Sequence, residues 1–178
     1  MNGNRVGTAY ALTTFARILP GKADELEGYL GSMPKGPESP FARLGMLHIA
    51  RVQIFRALVH QGPLQKHTDT LQNAHLVFTS TIDGDLDPYL NALAEHVPEA
   101  DKWWGRCAGY PGRTDVAAFR AWVRDRQVDT GLFQSAIPTA SVGDVREALA
   151  LREDVLDFAV AAQGLDAATL QQRFRATF

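Results

Sequence analysis

The chain has 178 residues, of which 46% are hydrophobic and 21% charged, with 18 basic against 20 acidic residues and a formal net charge of −2. Those values fit one globular domain, or two small related halves sharing a core, and imply no disordered tail. No apolar run nears the ~20 residues of a bilayer crossing, and the basic residues are scattered, so neither a membrane nor nucleic acid is expected as a partner. The first eight residues lack the apolar stretch of a secretory signal, and one cysteine, Cys107, admits no intrachain disulfide. A cytoplasmic location follows as the expectation.

Residues 8–18 are rich in β-branched and aromatic side chains and stop at Pro20-Gly21, which predicts a first strand. Residues 22–33 place Leu26, Tyr29, Leu30 and Met33 at helical spacing behind Asp24, Glu25 and Glu27, which predicts a helix. Three prolines among residues 34–40 enforce a crossing loop. A second strand is expected from about Leu47 to Phe55 and a third over residues 74–81. A second helix should open at Asp87-Pro88, with Asp87 as its cap and Tyr89, Leu90, Leu93 and Val97 as its apolar stripe.

A helical insertion is expected over about 99–128, with Trp103 and Trp104 in a short helix and with Asp115 capping a longer one whose buried side carries Val116, Phe119, Trp122 and Val123. Residues 130–138 read as a fourth strand. Ser141 and Asp144 then form a capping-box variant at the head of a helix carrying Val145, Leu149, Arg152, Leu156 and Val160, and a last helix from Asp166 would set Leu170 and Phe174 against the body. The fold class expected is α+β: a ferredoxin-like βαββαβ antiparallel sheet with helices on one face, a helical insertion, and C-terminal helices over about 141–178. The sheet's other face needs a cover, and a homodimer supplies one.

Strict alternation puts His48, Ala50, Val52 and Ile54 on one side of the second strand, and Leu47, Ile49, Arg51, Gln53 and Phe55 on the other. The mixed polarity of the Arg51 side suits a ligand cavity, with Arg51 clamping an anion or carbonyl and Gln53 and Phe55 lining it; an ion pair at a sheet or dimer edge is the plainer account of Arg51. His48 reads as a hydrogen-bonded core histidine or as an acid/base group. Asp83 stands where a strand ends and a helix begins, placed either to enter a pocket or simply to serve an Asp-Gly turn. Trp104 and Tyr110 either wall an apolar site or pack the core. His60, His67, His75 and His96 have no partners at metal-ligand spacing, Cys107 reads as a buried thiol, and no nucleotide-binding or hydrolase fingerprint is present.

The stretches Phe78–Leu90, Leu47–Arg51, Trp104–Pro111 and Thr130–Ala136 resemble poorly characterised bacterial peroxidase-like proteins, which are related in fold to the dimeric α/β-barrel group that includes dye-decolourising peroxidases, small monooxygenases and polyketide cyclases. The resemblance implies a Gly-x-x-Asp-Gly loop whose aspartate serves haem peroxide chemistry, together with an arginine and a proximal histidine. Here the loop reads Ser80-Thr-Ile-Asp83-Gly84, so Asp83 matches and the first glycine is missing. Three functional expectations stand side by side. The first is a small enzyme binding an apolar organic molecule on the sheet face, with Arg51, Asp83 and His48 as catalytic residues, in an oxidation or cyclisation. The second is a haem-binding peroxidase-like protein with His48 or another histidine as axial ligand, and the third is a non-catalytic ligand-binding or accessory protein.

Overall fold

The structure is a computed structural model that describes residues 3–60, 62–67 and 70–178. The chain divides into two compact units, Met1–Thr139 and Ala140–Phe178.

The first unit is built on a four-stranded antiparallel sheet in the order β1-β2-β4-β3, with β1 at Arg5–Val6, β2 at Ala9–Arg17, β3 at Leu47–Phe55 and β4 at His75–Asp83. Central β4 pairs with β2 from Ala9↔Asp83 to Arg17↔His75, and with β3 from Leu47↔Ile82 to Phe55↔His75. Alternation then divides the sheet into two faces. Leu12, Ala16, Leu76, Phe78 and Ile82 are buried on one face. Their odd-numbered neighbours Phe15, Arg17, Ile49, Arg51, Gln53 and Phe55 are exposed on the other.

Four helices supply the covered side: α1 (Ala23–Ser32), α2 (Leu86–His96), α3 (Ala100–Trp104) and α4 (Val116–Asp125). Leu26, Tyr89, Leu90, Leu93, Val97, Trp103, Trp104, Phe119 and Val123 join the sheet residues in one core, as their helical spacing predicts. Val116, expected to be buried, sits in the first turn of α4 and is exposed. Helix α2 starts two residues earlier than expected, at Leu86, with Asp85 in the cap position. Asp85 pairs with Arg5 rather than capping, and Asp87 is held by Arg120 and Arg124 of α4, so the acid that sequence spacing offers as a cap instead joins two helices.

The fourth strand expected at 130–138 does not form. The place it would fill, the outer edge of β2, is already occupied. Tyr10 and Ala9 pair with Arg5 and Val6 of β1, Phe15 N donates to Arg126 O, Val128 N donates to Thr13 O, and Ala108 N donates to Arg17 O. Residues 130–138 lie outside that layer, tied at Thr130 N to the Asn4 side chain and at Pro138 O to Thr8 N. Gly7 turns β1 into β2 at φ 57°, and a Cβ there would strike Pro138 O, so only glycine fits.

The second unit is a pair of helices, α5 (Val142–Ala161) and α6 (Ala167–Thr177). The capping box at its head is complete: Ser141 Oγ accepts from Asp144 N, and the Asp144 carboxylate accepts from Ser141 N at 2.8 Å. Leu170 and Phe174, expected to be packed, lie on α6 but remain 38% and 53% exposed, with the Phe174 ring 5.8 Å from Phe158 of α5.

Candidate functional site on the open sheet face

One residue of β3 breaks the alternation. Leu47 pairs with Ile82 and Ile49 with Thr81, leaving His48 as an extra residue in a bulge. Without the bulge, His48 would share the covered face with Ala50 and Val52, as strict alternation predicts. With it, the imidazole reaches Asp83, whose Oδ1 lies 2.7 Å from His48 Nε2. Bulges re-aim single side chains in this way, and a one-residue irregularity leaves no periodic mark in a sequence.

Asp83 is fixed from both sides. Its own N–H donates to Met46 O, and the next N–H, that of Gly84, donates to Thr8 O, both at 2.8 Å. Gly84 has φ 80°, which lets the chain leave the strand sharply for α2. The His48 and Asp83 side chains are 23% and 18% exposed, so the pair is shielded yet reachable from solvent. A carboxylate oxygen accepts the hydrogen bond, so Nε2 is the donor, and a neutral imidazole held this way has its lone pair on Nδ1. A neutral imidazole oriented by a carboxylate is the kind of arrangement that can accept a proton.

Arg51 lies one step further along the same face, opposite Thr79, roughly 7 Å along the strand from the Ile49–Thr81 row. Its guanidinium is exposed and makes no hydrogen bond or ion pair among the described residues. Beyond it Gln53 faces Val77, and the Phe55 ring stands 6.2 Å from Phe15 of β2, giving the far end of the face an apolar platform. His48, Asp83, Arg51, Gln53 and Phe55 therefore share one surface. It is an open surface in the single chain, not the enclosed hollow that the sequence leads one to expect.

Trp104 and Tyr110 are not part of it. Trp104 is fully buried on the helix-covered side, its ring 5.1 Å from Phe78 and 5.5 Å from Phe119, so the sheet separates it from Arg51. Tyr110 packs against Trp122 at 5.2 Å and donates its hydroxyl to Asp101 at 2.6 Å. Burial, reinforced by that bond, pushes the phenol above its usual range, so it stays protonated. Cys107 is buried, and its thiol is pushed up to about 12 by desolvation.

A groove of about 970 Å³ that no sequence pattern announces runs along the β1 edge, lined by Asn4, Arg5, Tyr10, Gln127 and Asp129 among others. Its polar groups are already engaged. Arg5 binds Asp85 and the Gly84 carbonyl, Gln127 donates to the Tyr10 hydroxyl at 2.7 Å, and Asn4 donates to Asp129 at 3.1 Å. The groove thus fastens residues 127–130 to the sheet.

Haem chemistry of the dye-decolourising kind needs the proximal histidine and the catalytic aspartate on opposite faces of the macrocycle. With 2.7 Å between them, His48 and Asp83 cannot flank a haem. Among the described residues no group of three or more His, Cys, Asp or Glu is placed to hold a metal ion, and no helix is long and apolar enough to cross a membrane. No family model, curated protein or solved structure matches the chain.

Proposed function

We propose that the chain is a small proton-transfer enzyme that binds an apolar organic molecule on the open sheet face. The observation carrying this reading is the bulge that turns His48 onto Asp83 beside an unpaired arginine. Arg51 orients a carbonyl or anionic group of the substrate, Gln53, Phe15 and Phe55 support its apolar body, and His48, held by Asp83, takes and returns a proton. A proton removed beside a carbonyl gives an enolate whose charge Arg51 meets, a step shared by cyclisations and by many oxidations of carbonyl compounds. We read the β2-α1-β3-β4-α2 succession as a ferredoxin-like unit whose last strand has been replaced by the irregular edge beside β2. In that reading a second copy packs sheet to sheet to enclose the substrate; the exposure of Ile49 (65%), Phe15 (43%) and Phe55 (41%) supports such a cover. A cytoplasmic homodimer fits the lone, buried thiol.

The test is exchange of the α-proton for deuterium in D₂O, followed by proton NMR across a panel of aryl and alkyl ketones and β-keto acids. Wild-type protein should exchange at least one of them, and His48→Gln should lower the rate by about 10²–10⁴-fold, the usual contribution of a positioned base. Arg51→Ala should raise KM more than it lowers kcat. Exchange by a folded His48→Gln protein at the wild-type rate removes the base, and no exchange with any of the panel removes the reading.

A further inference from the structure

We propose, building on the sheet-face reading above, that the ligand of the open face is an organic dianion: an apolar body with an anionic group at each end, one held by Arg51 and the other by Arg17. Ten arginines stand in residues 1–139, and eight of them pair with a carboxylate. Arg17 and Arg51 are the two that form no ion pair among the described residues. Both are exposed, and both project from the same face of the sheet.

Arg51 lies opposite Thr79 and Arg17 opposite His75, four residues apart along β4 and on its two sides. At ~3.4 Å per residue and ~4.8 Å between strands, their Cα atoms are roughly 17 Å apart. An apolar floor separates them. Val77 is midway between the two rows, and the rings of Phe15 and Phe55 stand 6.2 Å apart beside it. Each end has a second polar group at hand. The Thr79 hydroxyl neighbours Arg51, and the His75 imidazole neighbours Arg17, since residues directly opposite in antiparallel strands have Cβ atoms about 5 Å apart.

The negative charge has to arrive with the ligand. Asp83 is the one acid on this face among the described residues, and its carboxylate is already bonded to His48. A second copy laid sheet to sheet brings two more arginines and no free acid, so closure over an uncharged ligand would press like charges together out of water. A ligand with one carboxylate answers one guanidinium and leaves the other desolvated and unpaired. Nucleic acid is a poor fit, because two cations separated by an apolar floor do not follow a run of phosphates.

Calorimetric titration of the full chain with linear monoacids and diacids tests this with no turnover involved. A face with one anion site prefers the monoacid of a given length, because a terminal methyl is more apolar than a second carboxylate. A two-ended site reverses that order. At least one diacid between adipate and dodecanedioate should bind about 10-fold more tightly than the monoacid of equal length, the worth of one charge-assisted contact. Malonate, the shortest, should show no such advantage over propionate. Arg17→Gln should abolish the diacid preference, whereas Arg124→Gln, which removes one charge from α4 on the covered side, should leave it intact. Monoacids that match or beat every diacid overturn the proposal, as does a preference that survives Arg17→Gln or that Arg124→Gln abolishes as well. A diacid preference lost in Arg17→Gln, in a protein that exchanges no α-proton, upholds the dianion site and removes the base. Exchange of β-keto acids with no diacid preference keeps the base and overturns the dianion site.

Discussion

At the scale of single residues, the proposed function turns on one extra position in a strand. His48 has the neighbours of a core histidine in sequence, yet it ends against a carboxylate because Leu47 and Ile49 pair with adjacent residues of β4. Asp83 was legible as a residue worth attention, since a strand-ending Asp-Gly can aim a carboxylate; its partner was not, since bulges carry no periodic signal. Trp104 and Tyr110 were legible as aromatic mass but not as to the side of the sheet they serve, which only the α3 and α4 packing decides. Cys107 allows a direct check. Burial pushes its thiol up to about 12, so at neutral pH it is protonated as well as inaccessible. An aromatic disulfide reagent should label the folded protein negligibly and should release one equivalent of chromophore when denaturant is added. Stoichiometric labelling without denaturant would show that the loop after α3 opens readily.

At the scale of elements, the strands and helices with a strict period were readable and those held by tertiary bonds were not. Helix α2 announced itself through Tyr89, Leu90, Leu93 and Val97, all of which are buried. By contrast residues 130–138 have strand-like composition but no edge to join, because backbone groups of 5–6, 106–108 and 126–128 take the donors and acceptors along β2. The two faces of the sheet should differ sharply under mutation. Phe78→Ala empties a fully buried site between Phe41 and Trp104, and a large-to-small change of that kind costs about 3–5 kcal/mol. Ile49→Thr on the open face should cost less than about 1 kcal/mol, measured by urea unfolding at protein concentrations low enough to keep the chain monomeric. Equal losses at the two positions would mean that the open face is covered within a single chain.

At the scale of the whole molecule, the two units differ in what keeps them folded, and acid should separate them. The first unit rests on a continuous apolar core, whereas the second has almost no buried side chain and relies on its caps. Asp144 is held below the usual carboxylate value of 3.8 by hydrogen bonds from the Ser141 backbone and hydroxyl, and Asp166 by those from the Thr169 backbone and hydroxyl. A carboxylate with a depressed value stabilises the folded state fully above its unfolded value and loses that contribution as pH falls through the folded one. The caps should therefore support the hairpin fully above 3.8 and lose that support progressively as pH falls below it, so that its helicity declines there. Glu25 and Glu99 of the first unit are likewise held low, by Lys22 and Arg106 and by Arg43 respectively, but those are largely exposed ion pairs of small worth beside the core they decorate. Far-UV circular dichroism should thus fall before tryptophan emission shifts, since all three tryptophans report on the first unit. Asp144→Asn and Asp166→Asn, whose amides still accept the capping hydrogen bonds but do not titrate, should remove the early phase. Coincident far-UV and tryptophan transitions would instead show that the hairpin and the sheet unit melt as one cooperative body.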